Sequence, residues 1–79
     1  MQLTIASPTE KAELQIAWLE CQTSQGNMVI LRGHAPIILT LTPLSIVLYR
    51  LKIGKEESRK IVNGVVHVTR NTVTLLLTN

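Results

Sequence analysis

Apolar and polar positions alternate in short runs along the whole chain, and turn-forming residues separate the runs. Residues 2–6 alternate, with Leu3 and Ile5 on one face, which is the period of a half-buried strand. Ser7, Pro8, Thr9 and Glu10 follow as a turn, since Pro presets φ and the hydroxyls can bond the backbone. Residues 14–22 read as a second strand with mixed alternation. Ile16 and Trp18 fall on one face, and Ala17, Leu19 and Cys21 on the other. A helix over residues 12–21 is the competing reading, partly supported by Ile16, Leu19 and Glu20. After the polar loop 23–27, residues 28–31 read as a short buried strand and 37–41 as a fourth strand closed by Thr42 and Pro43. Residues 46–53 alternate cleanly, Ile46, Leu48 and Arg50 against Val47, Tyr49, Leu51 and Ile53. A charged hairpin turn at 54–57 leads to a strand at 58–62. Asn63-Gly64 is the strongest turn signal, because both residues tolerate positive φ. Strands at 65–68 and 73–77 flank a tight turn at Arg70-Asn71.

Closely spaced strands joined by turn chemistry predict an all-β fold: one domain over residues 1–79, built as an antiparallel β-sandwich or flattened barrel of about eight to ten short strands. Composition agrees. The chain is 46% hydrophobic with no Phe, one Trp and one Tyr, so its core must be aliphatic, and β-branched Val, Ile and Thr suit a pleated surface. The longest apolar candidate, residues 44–51, is broken by Ser45 and Arg50 and falls well short of the roughly 20 residues of a membrane span. The first residues show no signal-peptide pattern. Cys21 is the only cysteine, so no internal disulfide forms, which fits a reducing compartment.

The candidate chemistry is sparse. Cys21, His34, His67 and the five glutamates Glu10, Glu13, Glu20, Glu56 and Glu57 show no spacing that pairs a nucleophile with a base. One Cys and two separated His do not supply the three or four ligands of a zinc site, and no Gly-rich phosphate loop occurs. Catalytic, metal and cofactor residues are therefore expected to be none. The net charge is +3, and Lys52, Lys55, Arg59 and Lys60 cluster around one hairpin. A stand-alone β-sandwich that binds protein or RNA is thus an alternative, weakened for RNA because Tyr49 is the only aromatic nearby to stack a base.

One stretch carries more. Gly26-Asn27-Met28-Val29-Ile30-Leu31-Arg32-Gly33-His34-Ala35-Pro36 resembles the signature of the epsilon subunit of F-type ATP synthases, called delta in mitochondrial naming. Thr42-Pro43 looks like that family's Pro-Gly turn. Asn63-Gly64-Val65-Val66 looks like its Gly-Gly strand entry, and Asn71-Thr72-Val73-Thr74-Leu75 resembles its final strand. The likeness covers nearly the whole chain. Four departures stand out. Arg32 replaces a common Pro, Leu44 stands where a Gly usually follows Pro43, and Asn63 replaces the first Gly of the pair. Gln25 and Asn27 are uncharged where acidic residues often occur.

The resemblance implies a non-enzymatic central-stalk subunit that packs on gamma, touches the c-ring, rotates with both and couples ion translocation to ATP synthesis. It implies a peripheral position on the cytoplasmic face of a bacterial inner membrane, or the equivalent face in an organelle, with no cofactor, nucleic acid or membrane insertion. Gln25, Gly26 and Asn27 are the expected c-ring contact, and Arg32, Gly33 and His34 the expected gamma or c-ring interface. Trp18, placed outward by the same alignment, is an expected exposed anchor. The family usually continues into two C-terminal helices that inhibit hydrolysis; this chain reaches Asn79 at the end of its last strand, so that inhibition is expected to be lacking. The isolated chain, rich in apolar residues, is expected to self-associate.

Overall fold

The computed structural model describes residues 1–78. They form eight strands: β1 (Gln2–Ser7), β2 (Glu10–Thr23), β3 (Gly26–Leu31), β4 (Ile37–Thr40), β5 (Ile46–Leu51), β6 (Glu56–Lys60), β7 (Gly64–Val68) and β8 (Thr72–Leu77). The all-β prediction holds, and the helix alternative over residues 12–21 is replaced by strand. One sheet runs β4-β7-β8-β1 and takes in the first half of β2; the other runs β3-β2-β5-β6 through its second half. All pairs are antiparallel except β1 with β8, which is parallel. A bridge between Thr23 and Leu41 ties the two sheets at one end.

The mixed alternation of β2 has a physical cause. The register shifts between Ile16 and Trp18. Ahead of that irregularity Ile16 points into the core, with Ala12 and Leu14 packed against it; beyond it the inward positions become Leu19, Cys21 and Thr23. One extra residue flips the face, and it does so where β2 leaves one sheet for the other. The core between the sheets is aliphatic as composition required, centred on Leu3, Ile5, Leu19, Ile30, Leu41, Val47, Ile61, Val66, Val73 and Leu75, with Tyr49 as its one aromatic. Thr23, the one buried polar side chain among the described residues, donates to the Gly26 carbonyl at 2.9 Å and accepts from the Gln25 N–H at 3.1 Å.

Three local readings need correction. Residues 28–31 are not wholly buried: Val29 and Leu31 face solvent, because β3 is an edge strand with one face on the core. An unbroken apolar run hides that alternation. The β5–β6 turn lies earlier than expected, around Lys52 and Ile53. There Gly54 at φ 104° donates to the Leu51 carbonyl at 2.8 Å, leaving Ile53 86% exposed. Asn63-Gly64 is not a hairpin turn and neither residue has positive φ. β6 pairs with β5 and β7 with β4 and β8, so the segment is a crossing between sheets. Gly64 is needed there for space: a Cβ would sit 2.7 Å from the Leu76 carbonyl oxygen and 2.8 Å from Leu77 Cδ2.

Candidate functional site

The residues expected at partner contacts fall in two groups, at opposite ends of β3. Gln25 and Gly26 turn the chain from β2 into β3, with Gly26 at φ 102° and open space around it. Asn27 is held in place: it donates to Glu20 Oε2 at 3.1 Å and accepts from Gln22 Nε2 at 2.9 Å. The neighbouring segment 42–45, whose Thr42 N–H donates to the Gln22 carbonyl at 2.9 Å, shares this end. None of residues 23–27 or 42–45 is charged.

Arg32, Gly33 and His34 lie past the other end of β3, five strand rises or about 17 Å away. They form a tight turn in which the His34 N–H donates to the Leu31 carbonyl at 3.0 Å and Gly33 has φ 84°. Positive φ at the third turn position is the type II requirement, which only Gly meets without strain. The Gly33 N–H donates to the Arg70 carbonyl at 3.0 Å, fastening the loop to the β7–β8 turn. His34 Nδ1 lies 2.7 Å from the Ala35 carbonyl. A carbonyl can only accept, so in this contact Nδ1 is the donor. This end is cationic: among the described residues Arg32, Lys52 and Arg70 carry no ion pair, whereas Lys55 reaches Glu57 at 4.0 Å and Arg59 pairs with Glu10.

Between the two ends runs the outer face of the β3-β2-β5-β6 sheet. Trp18 sits on it, half-buried, paired in register with Leu31 on one side and Arg50 on the other. Glu20 is flanked by Val29 and Leu48 in the same way. Val29, Leu31, Ile46 and Leu48 are between 40% and 56% exposed, and together with Trp18 they make an apolar band around Glu20. Sequence reading found Trp18 and missed the other four; the signal was the alternation of residues 46–51, which names two faces without saying which is outside.

The sheet edges differ in the same direction. β6 carries Glu56, Arg59 and Lys60, and the first half of β2 carries Glu10, Lys11 and Glu13; β4 has four residues with Pro36 before it and Pro43 after. Charge, shortness and proline are the devices that keep edges from pairing. β3, which pairs only with β2, has none of them.

Family comparison fits this geometry. The model of the ATP synthase delta/epsilon chain β-sandwich domain matches residues 1–79. The chain belongs to that family. No curated protein sequence matches it significantly. Among solved structures it is similar to a chain of the Euglena gracilis mitochondrial ATP synthase (OSCP/F1/c-ring, rotational state 1), with a TM-score of 0.84 and 24% identity. That match covers 98% of this chain and 49% of the other. It is also similar to a chain of the Tetrahymena thermophila mitochondrial ATP synthase central stalk and c-ring, with a TM-score of 0.83 and 16% identity, covering 100% of this chain and 63% of that one. The chain thus spans about half to two thirds of these relatives' length.

Within a delta/epsilon β-sandwich, two of the departures become structural statements. Arg32 occupies the second position of the Leu31–His34 turn, which favours Pro. Leu44, third in the turn 42–45 after Pro43, has φ 57°, the one positive-φ non-glycine among the described residues. The backbone keeps the glycine conformation with a leucine in it.

The remaining polar groups are structural. Cys21 is buried, and desolvation, with a lesser contribution from the Glu20 charge, pushes its thiol up to about 11. Tyr49 is buried and its hydroxyl is likewise raised, first by desolvation and then by Glu57; it offers no surface for stacking a base. The Arg59 hydrogen bond, and then its charge, lowers Glu10. Of the four basic residues around that hairpin, Lys55 reaches Glu57, Arg59 pairs with Glu10, and Lys52 lines a cleft. No helix among the described residues is long and apolar enough to cross a membrane, and they hold no cluster of three metal-ligating side chains.

Proposed function

We propose that this domain works as the non-catalytic stalk piece of a rotary F-type ATP synthase, joining gamma to the c-ring and turning with both so that ion translocation drives ATP synthesis. The observation that carries this reading is the family match over all 79 residues. Such a part needs rigidity and contact surfaces instead of titrating groups. The bridge from Thr23 to Leu41 at one end and the Arg59–Glu10 pair between β6 and the start of β2 stiffen the sandwich.

Gamma docks on the outer face of the β3-β2-β5-β6 sheet. The apolar band of Val29, Leu31, Ile46 and Leu48 around Trp18, beside the unguarded β3 edge, supports this, because large aromatics inside an apolar patch are the usual anchors of protein interfaces. The neutral end with Gln25, Gly26 and Asn27 meets the c-ring. Its lack of charge and the internal bonds of Asn27 mean that this contact rests on shape and backbone groups. Arg32, Gly33 and His34 then lie about a strand length away and belong to the gamma side. The complex sits peripherally at the cytoplasmic face of a bacterial inner membrane, or the equivalent organellar face, and the domain itself contributes no inhibition of hydrolysis.

Co-purification with a cognate gamma subunit tests the reading. Val29→Lys is expected to weaken gamma binding at least tenfold and to leave the thermal midpoint within 2 °C, and binding of the unaltered chain should blue-shift Trp18 fluorescence. Ile38→Lys, on the outer face of the other sheet and 65% exposed, should bind normally. A well-folded chain that never binds gamma would overturn the assignment.

A further inference from the structure

The cationic end contains a cleft of about 340 Å³ that opens where β2 leaves the first sheet for the second, lined by Gln15, Arg32, Lys52, Asn71 and Thr72 with the first two residues of the chain. Its walls are fixed by backbone bonds between elements. The Lys52 N–H donates to the Gln15 carbonyl at 3.0 Å, the Gln2 N–H to the Asn71 carbonyl at 3.1 Å, and the Gly33 N–H to the Arg70 carbonyl at 3.0 Å. The space is far larger than one water and sits at the lower end of the range for small-ligand pockets.

The lining has one electrostatic sign. Among the described residues, two cationic side chains, Arg32 and Lys52, line it without an ion pair, Met1 stands beside them, and no carboxylate lines it. The side-chain amides of Gln15 and Asn71 make no hydrogen bond among the described residues and belong to the same lining, while Glu13, the nearest acidic residue along β2, accepts from Gln2 Nε2 at 3.2 Å. The guanidinium fork of Arg32 matches two oxygens of a planar or tetrahedral oxyanion, and Lys52 adds a compact charge beside it.

We propose that this cleft binds a small oxyanion, with Arg32 and Lys52 supplying the charge and Gln15 and Asn71 the neutral donors. A free phosphate and a carboxylate share this chemistry. The site stands on the geometry of the chain alone, so a failure to bind gamma leaves it intact; Arg32 is the residue it shares with the side assigned to gamma.

The test is nuclear magnetic resonance titration of the ¹⁵N-labelled 79-residue chain with inorganic phosphate, with acetate, and with chloride at matched ionic strength. Phosphate should shift the amides of Gly33, Lys52, Asn71 and Thr72 and the side-chain amides of Gln15 and Asn71 along one saturable curve, with a dissociation constant on the order of 1 mM. Arg32→Pro keeps the turn geometry and removes the guanidinium; it should raise that constant at least tenfold, as should Lys52→Ala. Saturation by acetate as tightly as by phosphate assigns the site to carboxylates, and saturation by phosphate alone assigns it to phosphate. Equal shifts with chloride, or an unchanged constant in Arg32→Pro, overturn the proposal.

Discussion

Gly64 offers the sharpest test of how this fold is held. Beside Asn63 it looks like a residue chosen for positive φ, yet neither residue has positive φ. The structural reason is contact: a Cβ at position 64 would stand 2.7 Å from the Leu76 carbonyl oxygen, 2.8 Å from Leu77 Cδ2 and 3.3 Å from Leu41 Cδ1, where ordinary contact begins at 3.4 Å. The oxygen is about 0.7 Å too close (3.4 minus 2.7), and it cannot move freely. Gly64 pairs with Leu77 in the β7–β8 ladder, and its own carbonyl accepts the Leu41 N–H at 2.9 Å. Any shift therefore disturbs three segments together. Overpacking of this kind costs about 1–3 kcal/mol, against a total of roughly 4–12 kcal/mol for a domain of this length. At about 5 °C per kcal/mol, Gly64→Ala should lower the thermal midpoint by about 10 °C, read by circular dichroism. Gly64→Asn separates the two explanations. Asn visits the left-handed region readily, so a conformational role predicts that Asn costs less than Ala. A steric role predicts that the larger Asn costs more. An Asn variant more stable than the Ala variant, or an Ala variant within 2 °C of the parent, would refute the packing argument.

Three further outcomes are expected. Leu44→Asn should raise the midpoint by about 3–5 °C, since it relieves roughly 1 kcal/mol of left-handed strain at a residue that is 70% exposed and loses little contact; differential scanning calorimetry checks it. Arg32→Pro should fold normally and gain about 0.5 kcal/mol from a stiffer unfolded chain, because the turn position suits Pro and the preceding Leu31 is already extended; urea unfolding reads it. The Cys21 thiol should resist iodoacetamide at pH 8 in the folded chain. Burial raises its pKa from 9.0 to about 11, so the fold holds the neutral form. The stability this represents is fully present below pH 9 and is lost as pH rises from 9 through 11, on the order of 2 kcal/mol. Cys21→Ala should lack that component of the alkaline decline in paired pH titrations of unfolding.

The two turns that depart from the family pattern carry different consequences. At residues 42–45 the Leu44 N–H donates to the Val62 carbonyl at 3.0 Å and Ser45 Oγ donates to the Thr42 carbonyl at 2.7 Å. The surroundings therefore impose the left-handed conformation on a residue that disfavours it, and the cost is one of stability. At Arg32 the cost is only the loss of a rigid ring, and the gain is a cation in the lining of the cleft at that end. The first substitution is a strain, while the second changes the chemistry of one end of the molecule.

The amino-acid sequence determined the class of fold by itself. Strand positions, most turns and the aliphatic core follow from local period, from β-branched content and from Pro and Gly placement, all of which act over a few residues. The family likeness was legible in the same way, because the loop 26–36 keeps its glycines where Gly26 and Gly33 need positive φ. What only the tertiary structure decided is which face of each strand is outside. An alternating strand names two faces, and an unbroken run such as residues 28–31 names none; the choice depends on which sheet covers the strand. Hence Val29, Leu31, Ile46 and Leu48 emerged as a surface band, β3 as the unguarded edge, and Arg32 and Lys52 as neighbours across one cleft. The mixed pattern of residues 12–23 became readable for the same reason: β2 serves two sheets, and the irregularity between Ile16 and Trp18 turns its inward face over where it passes from one to the other.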